Sequence, residues 1–250
     1  GALSGGGMFN PACPTPVHQQ SHRHAPALRH NGQPNAYGLS PLTHTVARSA
    51  SPTRPLLVIA SGNPYKVAEI RGMLDAVGLD VQQQPKGLEI EETGSTYTAN
   101  ARLKAETVAR LTGQWALADD SGLEVDALGG APGLYSARYA SSDPERIQRL
   151  LQELGSTPYR SASFNSAMAL ADPDGCIRLE AEGICRGEIL TSPQGHGGGY
   201  DPIFWVREAG LTYAQMGQHL KEKLGSRGKA ARALAPGLKQ LLGLSRGRGG

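Results

Sequence analysis

The sequence has no apolar run approaching the ~20 residues that a membrane-spanning helix needs. Cysteine is scarce: Cys13, Cys176 and Cys185 form neither a CxxC pair nor a pattern with histidine at metal-binding spacing. This excludes a cysteine-based zinc site of the usual kinds. An odd count without a disulfide framework is typical of a reducing compartment, so we expect a cytoplasmic protein with no membrane partner.

Acidic residues and lysine are absent from residues 1–54, whose only charged side chains are four arginines. Subtracting these arginines leaves 21 basic against 22 acidic side chains, so the rest of the chain has a net charge of −1. The formal charge of +3 for all 250 residues is therefore misleading. A nearly neutral body gives no electrostatic reason to expect a nucleic-acid partner.

Residues 1–54 are rich in Gly, Pro, Ser and His and show no helical or strand periodicity, which predicts a disordered extension. His22 and His24 leave a metal-binding tail open, and the acid-free composition leaves an organelle transit peptide open. A chain that begins at Gly1 is also consistent with a fragment or a translated upstream region. We expect one folded domain over residues 55–244 and a frayed tail over residues 245–250.

The folded part is predicted to mix helices and strands. Asn63 and Pro64 are typical of an N-cap and a first helical position, and Gly78 ends that helix. Further helices are predicted from Ser95 or Thr96, from Pro144 with Asp143 as its cap, and over residues 229–242. Strands are predicted at 56–60, 79–83, 115–118, 161–170, 177–179, 184–185 and 203–206, the hairpin-rich part being broken at 172–175 and at Gly183.

Two adjacent acids, Asp119 and Asp120, follow the predicted strand at residues 115–118 and precede a predicted turn at Ser121-Gly122. We expect both at the C-terminal tip of this strand, where ligands bind in open α/β sheets. Paired acids at a tip are costly unless they hold a metal or exchange protons. With the acids at residues 91–92 they indicate Mg²⁺, which is usually held by one or two carboxylates and substrate phosphates.

Three other segments carry weaker signals. The turn at residues 61–66 enters a helix whose free N–H groups attract phosphate, and Lys66 can neutralise a phosphate oxygen. The glycine-rich segment 195–202 permits close backbone approach to a ligand, and Lys221 with Arg227 forms a basic cluster. Alone, an ordinary capped helix, a flexible loop and a solvated basic face explain them equally well or better; their combination favours a nucleotide site.

In this combination the sequence resembles the inosine/xanthosine triphosphate pyrophosphatase family over roughly residues 56–242. The most specific similarity is the run at 118–125, Ala-Asp-Asp-Ser-Gly-Leu-Glu-Val, which continues to residue 139. The remaining matches are Ser61, Asn63, Lys66 and Glu69 in the family's opening motif, Glu-Glu-Thr-Gly at 91–94, Asn100 to Ala105, and Gly-Tyr-Asp-Pro-Ile-Phe at 199–204.

The resemblance implies an elongated α/β domain around a long mixed sheet flanked by helices, with an antiparallel hairpin-rich part, and a homodimer. It implies cleavage of purine nucleoside triphosphates (ITP, dITP, XTP) to the monophosphate and pyrophosphate with Mg²⁺. By position, Asp120 is the general base and a metal ligand, and Glu92, rather than Glu91, is the second metal carboxylate. The implied substrate-binding residues are Ser61, Gly62, Asn63, Pro64, Tyr65, Lys66, Ser121, Gly198, Gly199, Tyr200, Asp201, Lys221, Ser226 and Arg227.

Three positions depart from the family pattern, all on the side that reads the base. Gly198 replaces an aromatic residue that packs on the purine, Ser226 replaces a histidine, and Gln215 replaces a glutamate. Because losing base stacking costs on the order of 1–3 kcal/mol, we expect retained hydrolysis with weaker or altered base discrimination. The alternatives are a related pyrophosphatase for pyrimidine or modified nucleotides and a nucleotide-binding protein without turnover, which the intact acids and lysines disfavour.

Overall fold

A computed structural model describes residues 13–19 and 54–244. Within these residues, no helix is long and apolar enough to cross a membrane. The strands are β1 (Val17–Gln19), β2 (Leu56–Ile59), β3 (Asp80–Gln83), β4 (Trp115–Val125), β5 (Ser161–Ala171), β6 (Ile177–Ile189), β7 (Phe204–Val206) and β8 (Leu211–Thr212). The α-helices are α1 (Pro64–Leu74), α2 (Tyr97–Thr112), α3 (Asp143–Leu154), α4 (Gln218–Leu224) and α5 (Ser226–Leu241).

All eight strands form one mixed sheet in the order β3-β2-β4-β5-β6-β7-β8, with β1 paired to β6. The β1–β6, β2–β3 and β2–β4 pairs are parallel, whereas β4 to β8 are joined by antiparallel pairs. The predicted mixed sheet with an antiparallel, hairpin-rich part is therefore confirmed. The short elements β8 and α4 were not predicted.

Helices cover both faces of the sheet. On one face α1 and α5 pack on large aliphatic side chains such as Leu57, Leu117 and Leu170. On the other face α2 packs through small residues, with Ala105 against Ala118 and their neighbours. Small side chains on both surfaces let the α2 backbone approach the sheet closely, which brings even its short polar side chains within reach of β4.

Two of the four predicted helix starts follow the expected capping chemistry. Asn63 caps α1, and the Thr96 hydroxyl caps α2 by accepting from the Ala99 N–H at 3.0 Å. The prediction of Asp143 as the cap of α3 is wrong by one position, because the Ser142 hydroxyl accepts from the Glu145 N–H. Helix α5 begins at Ser226 rather than at the predicted residue 229.

Two predicted chain breaks at glycine are wrong. Strand β4 continues through Ser121-Gly122, where a Cβ on Gly122 would lie 2.3 Å from the Gly133 carbonyl oxygen. Strand β6 continues through Gly183, where a Cβ would lie 2.0 Å from the Ser226 carbonyl oxygen. Both glycines therefore admit a neighbouring backbone onto a continuous strand.

The expected absence of strands from residues 1–54 is wrong at one place, because Val17–Gln19 forms β1. The expected absence of a disulfide framework is also wrong for two of the three cysteines, since Cys13 and Cys176 form a disulfide. The remaining residues up to 53, including His22 and His24, and the tail at 245–250 lie outside the described residues.

Candidate functional site

Asp119 and Asp120 lie in the middle of β4, not at its tip as predicted, and their side chains leave opposite faces of the sheet. Asp119 shares the α1–α5 face with Leu117, and Asp120 shares the α2 face with Ala118. Both residues are buried, at 2% and 7% relative exposure. A buried carboxylate needs a partner, and each finds a different set.

The Asp119 carboxylate is held between two cations. Its Oδ2 lies 3.1 Å from Lys66 Nζ and 3.2 Å from Arg227 Nε, and Arg227 in turn contacts Glu69 at 2.7 Å. Burial disfavours ionisation of Asp119, but the charges of Arg227, Lys66 and Lys104 outweigh it and lower its pKa. Asp119 is therefore ionised at neutral pH and links α1 and α5 to β4.

A chain of hydroxyl groups extends from Asp119 into the sheet. Ser121 Oγ donates to Asp119 Oδ1 at 2.9 Å, lies 2.8 Å from Ser166 Oγ, and Ser166 Oγ lies 2.8 Å from Ser226 Oγ. The predicted substrate contacts Ser121 and Ser226 are thus brought together, but with their hydroxyls bonded to each other through Ser166. Ser226 is buried at 4% exposure, which does not favour direct base reading by its side chain.

Asp120 has amide and ammonium partners on the α2 face. Asn100 Nδ2 donates to Asp120 Oδ2 at 3.0 Å, and Lys104 Nζ lies 3.7 Å from Asp120 Oδ1. The same ammonium contacts Glu92 Oε1 at 2.6 Å and donates to the Asp119 carbonyl at 2.8 Å. Burial raises the pKa of Asp120, Lys104 opposes this, and Glu92 adds to it.

Asn100 and Lys104 received no individual role in the sequence analysis, although both lie in a matched motif. Both are buried on the apolar face of α2, beside Ala101 and Ala105. An asparagine and a lysine at helix-core positions are the signal that identifies them, since polar side chains there need specific partners. Asn100 also accepts from the Gly94 N–H at 2.7 Å, which fixes the acidic loop beside β4.

The turn before α1 brings Lys66 to Asp119, but it does not offer all the free N–H groups that were predicted. The Asn63 side chain already accepts from the Tyr65 and Lys66 N–H groups, at 3.0 and 3.3 Å. Ser61 Oγ accepts from the Asn63 N–H at 3.1 Å, and Tyr65 is 85% exposed. In this conformation the Tyr65 and Lys66 N–H groups are therefore not free for a ligand.

The glycine-rich segment contributes an ion pair near the Asp119 cluster. Lys221 Nζ contacts Asp201 Oδ2 at 2.6 Å. Burial raises the pKa of Asp201 and the Lys221 ammonium opposes it, with smaller effects of Glu69 and Arg227. The pair therefore lies within electrostatic reach of the residues that hold Asp119.

The other residues of the glycine-rich segment 195–202 face different partners. The predicted contact Tyr200 is buried, and its hydroxyl donates to the Ser136 carbonyl at 2.7 Å. Its side chain therefore packs inside the protein and holds the loop to residue 136. Gly199 N–H donates to Asp143 Oδ2 at 2.8 Å, which fixes the loop to the start of α3. A Cβ at Gly198 would meet only Asp143 Oδ2, at 3.5 Å, and an apolar cavity of about 630 Å³ lies beside Gly197.

The assembled site has one more carboxylate than it has cationic side chains, and it borders a polar pocket. A polar pocket of about 310 Å³ opens beside Glu92 and Asn100. No group of three potential metal ligands occurs among residues 13–19 and 54–244. The cluster consists of four cations, Lys66, Lys104, Lys221 and Arg227, against five carboxylates, Glu69, Glu92, Asp119, Asp120 and Asp201.

Known proteins resemble this chain in sequence and in fold. A sequence model described as the Ham1 family matches residues 57–237. The dITP/XTP pyrophosphatase of Parasynechococcus marenigrum is 56% identical over 187 residues, covering 74% of this chain and 96% of the relative. That of a Synechococcus species is 54% identical over 191 residues, covering 76% and 93%. The solved structure of a HAM1 protein from Coxiella burnetii matches with a TM-score of 0.67 and 39% identity, covering 74% of this chain and 99% of that one.

Proposed function

The chain belongs to the Ham1 family, and on that premise we propose that it hydrolyses noncanonical purine nucleoside triphosphates (ITP, dITP, XTP) to the monophosphate and pyrophosphate. The observation that carries the proposal is the setting of Asp120, a buried carboxylate whose pKa is raised by burial and whose orientation is fixed by Asn100. A carboxylate with a raised pKa accepts a proton more readily at neutral pH. Asp120 is therefore our candidate for the group that takes the proton of the attacking water.

The donor set beside Asp120 fits Mg²⁺. Glu92 and Asp120 both approach one ammonium, that of Lys104, which shows that their oxygens converge on a single cation. Carboxylate oxygens are ligands that Mg²⁺ prefers, and substrate phosphates and water complete its coordination. We propose that Glu92 and Asp120 hold Mg²⁺, which supplies charge screening at the phosphates when bound.

The charge of the site supports the same metal. A triphosphate is a polyanion, and the side chains of the site number four cations against five carboxylates. Lys66 and Arg227 are already paired with Asp119 and cannot neutralise a triphosphate alone. A divalent cation held by Glu92 and Asp120 would supply the missing positive charge, and Lys66 would contact a phosphate oxygen from the other face of β4.

The residues expected to contact the base support a second part of the proposal, which is weaker discrimination between different bases. Gly198 offers no ring to stack on a purine, and the hydroxyl of Ser226 is bonded to Ser166 inside the sheet. Two further predicted contacts, Asp201 and Lys221, are paired with each other. Because Ser226 stands where the family has a histidine that helps to read the base edge, we expect a smaller ratio of kcat/KM between inosine and guanosine triphosphates than the family pattern would give.

A homodimer remains a prediction from the family resemblance. A cytoplasmic location also remains a prediction, but the Cys13–Cys176 disulfide removes the cysteine argument for it. Light scattering on the protein as it elutes from a size-exclusion column distinguishes a dimer from a monomer of 26.3 kDa. A single species at the monomer mass over the micromolar range would contradict the dimer. A purine nucleoside triphosphate is the partner that the site itself supports.

Pyrophosphate release from a panel of purine and pyrimidine nucleoside triphosphates, with and without Mg²⁺, tests the activity. We expect pyrophosphate from ITP, dITP and XTP and loss of that product on chelation. A preference for pyrimidine or modified nucleotides would favour the related-pyrophosphatase alternative. Binding of nucleotide without pyrophosphate from any member of the panel would establish a binding protein without turnover.

The two neighbouring glutamates provide a matched control for the metal. Glu92 contacts Lys104, whereas Glu91 is exposed. Glu92→Gln should raise the Mg²⁺ concentration needed for half-maximal activity by roughly tenfold or more, as loss of a charged ligand does. Glu91→Gln should leave it unchanged. Equal effects of the two substitutions would remove Glu92 from the proposed metal site.

A further inference from the structure

The Cys13–Cys176 disulfide joins two parts of the chain that are 163 residues apart in sequence. Cys13 lies just before β1, and Cys176 ends the turn between β5 and β6. Cys185, the third cysteine, is buried and free. The covalent bond therefore attaches the N-terminal strand to the central hairpin of the sheet.

Within residues 13–19 and 54–244, strand β1 has few other contacts that hold it in place. It pairs with β6 over three positions only, Val17 with Leu179 to Gln19 with Ala181. Val17 is 53% exposed, so β1 buries little apolar surface. Because so short a strand is marginal on its own, the disulfide is the main constraint that keeps it at the edge of β6.

The strand covers a position shared by β6 and α5. A Cβ added to Gly237 in α5 would lie 3.0 Å from Leu179 of β6 and 3.5 Å from Gln19 of β1. Helix α5 also carries Arg227, which binds Asp119 at the other end of the helix. Strand β1 therefore contacts the end of α5 that is remote from Arg227.

The turn that holds Cys176 does not depend on the disulfide. The Asp172 carboxylate accepts from the Cys176 N–H at 3.0 Å and from the Asp174 N–H at 3.1 Å, and it contacts Arg178 at 3.2 Å. Opening the disulfide should therefore leave the β5–β6 hairpin intact and release β1 alone. Cys13 is the more accessible sulfur for attack, since its residue is partly exposed whereas Cys176 is buried.

We propose that Cys13 and Cys176 form a reversible thiol–disulfide modification site that fixes or releases strand β1. In oxidation, a thiolate of the pair attacks a small disulfide such as oxidised glutathione and forms a mixed disulfide with loss of one thiolate. The second cysteine then displaces the other thiolate, so the protein loses two electrons and two protons and the reagent becomes two thiols. A dithiol reductant reverses both steps.

Release of β1 has two structural consequences. The edge of β6 at residues 179–181 loses its parallel partner, which exposes backbone N–H and C=O groups. The unfolded chain loses a cross-link that closes a long loop and gains conformational entropy, which lowers the stability of the fold. The residues of the nucleotide site contact neither cysteine, so turnover at moderate temperature should change by less than roughly twofold, as expected for distant, independent sites.

The test uses the full chain equilibrated with oxidised glutathione or with dithiothreitol. Peptide mapping should find Cys13 joined to Cys176 only in the oxidised protein, whose unfolding midpoint should be about 5–10 °C higher. Those amides of residues 179–181 that point towards β1 rather than β5 should exchange roughly tenfold or more faster in the reduced protein. Cys13→Ser should behave as the reduced protein under both conditions.

Cys185→Ala is the matched control, and it should retain the full difference between oxidised and reduced protein. Free thiols at Cys13 and Cys176 under oxidising conditions would overturn the proposal. So would equal midpoints and equal exchange rates in the two states. Because the readouts are mass, stability and exchange, a negative result here is distinct from failure of the proposed hydrolysis.

Discussion

Asp119 and Asp120 are adjacent in the sequence, yet their carboxylates lie on opposite faces of the sheet and have no common side-chain partner at hydrogen-bonding distance. Asp119 is paired with Lys66 and Arg227, whereas Asp120 is bonded to Asn100 beside Lys104. The pKa of Asp119 is lowered and the pKa of Asp120 is raised. One acid therefore serves as a fixed anion that holds cations, and the other can exchange a proton.

This division predicts different outcomes for two similar substitutions. Asp120→Asn should reduce kcat by about 10²–10⁴-fold, because it removes the proposed proton acceptor and keeps the shape of the side chain. Thermal unfolding should change little, since Asn100 and Lys104 retain an oxygen acceptor at this position. Steady-state pyrophosphate release and a thermal melt of the same sample check both expectations.

Asp119→Asn should instead destabilise the protein by about 3–5 kcal/mol, because Lys66 and Arg227 lose the buried anion between them. Urea unfolding at neutral pH measures this loss. A stable Asp119→Asn protein with normal activity would contradict the role of Asp119 as an anchor. Equal destabilisation by Asp119→Asn and Asp120→Asn would contradict the different roles that we assign to the two acids.

Much of the fold could be predicted because local signals agree with the final structure. Asn63 and Pro64 mark the start of α1, and the alternating and 3.6-residue patterns give most strands and helices. The continuation of β4 through Ser121-Gly122 could not be predicted, because Ser-Gly is ordinary turn chemistry. The reason for Gly122, the approach of Gly133, appears only in three dimensions.

The site was predicted as a set of residues, but its arrangement was not. Side-chain alternation separates Asp119 from Asp120 only if β4 extends through both, and the shorter predicted strand concealed this. The buried state of the Ser226 hydroxyl depends on Ser166, which lies 60 positions away in sequence. Contacts between elements so distant leave no local pattern, and the same holds for β1 and the disulfide.

Acid should weaken the fold through Asp119. Its pKa in the folded protein is lower than the ordinary value of 3.8, so its ionised form stabilises the fold. That contribution is fully present above the unfolded-state pKa and is lost as the pH falls from there towards the folded-state pKa. A chelator is added so that bound metal does not affect stability. The urea concentration at which half of the protein is unfolded should then fall more steeply below about pH 4 for the wild type than for Asp119→Asn. Parallel pH profiles for the two proteins would contradict this assignment.

The hydroxyl chain predicts coupling between distant parts of the sequence. Ser166→Ala leaves the hydroxyls of Ser121 and Ser226 without their shared neighbour and should cost about 1–3 kcal/mol of unfolding free energy. Ser226→Ala breaks the same link. The loss of unfolding free energy in the double variant should therefore be smaller than the sum of the two single losses, by about 0.5–3 kcal/mol. Urea unfolding of the four proteins measures the coupling energy.

A surface serine supplies the control for this cycle. Ser156 has no hydrogen-bonding role among the described contacts of the chain, and Ser156→Ala should be additive with Ser166→Ala. Additivity of Ser166→Ala with Ser226→Ala would show that the two hydroxyls are not coupled in solution. Ser226 would then be free to contact the base, as the family position implies.

Restoring a ring at Gly198 should restore base discrimination. A Cβ at this position meets only Asp143 Oδ2 at an ordinary 3.5 Å, so Gly198→Phe is compatible with the backbone of the loop. Stacking of the added ring on a purine should contribute about 1–3 kcal/mol, which lowers the KM for inosine triphosphate by roughly 5- to 150-fold. Gly198→Leu separates stacking from added bulk, because leucine fills space without an aromatic face.

The two substitutions have different expected effects on specificity. Gly198→Phe should lower KM for purine substrates more than for pyrimidine ones, since a larger base overlaps more of the ring, whereas Gly198→Leu should not. The neighbouring Gly197 cannot serve as well, because a Cβ there would lie 3.2 Å from Ala214 and 3.3 Å from Asp201. If Gly198→Phe leaves KM unchanged for every base, the base does not lie over this position. The relaxed discrimination would then have its origin elsewhere, with Asp201 and Lys221 the next residues to vary.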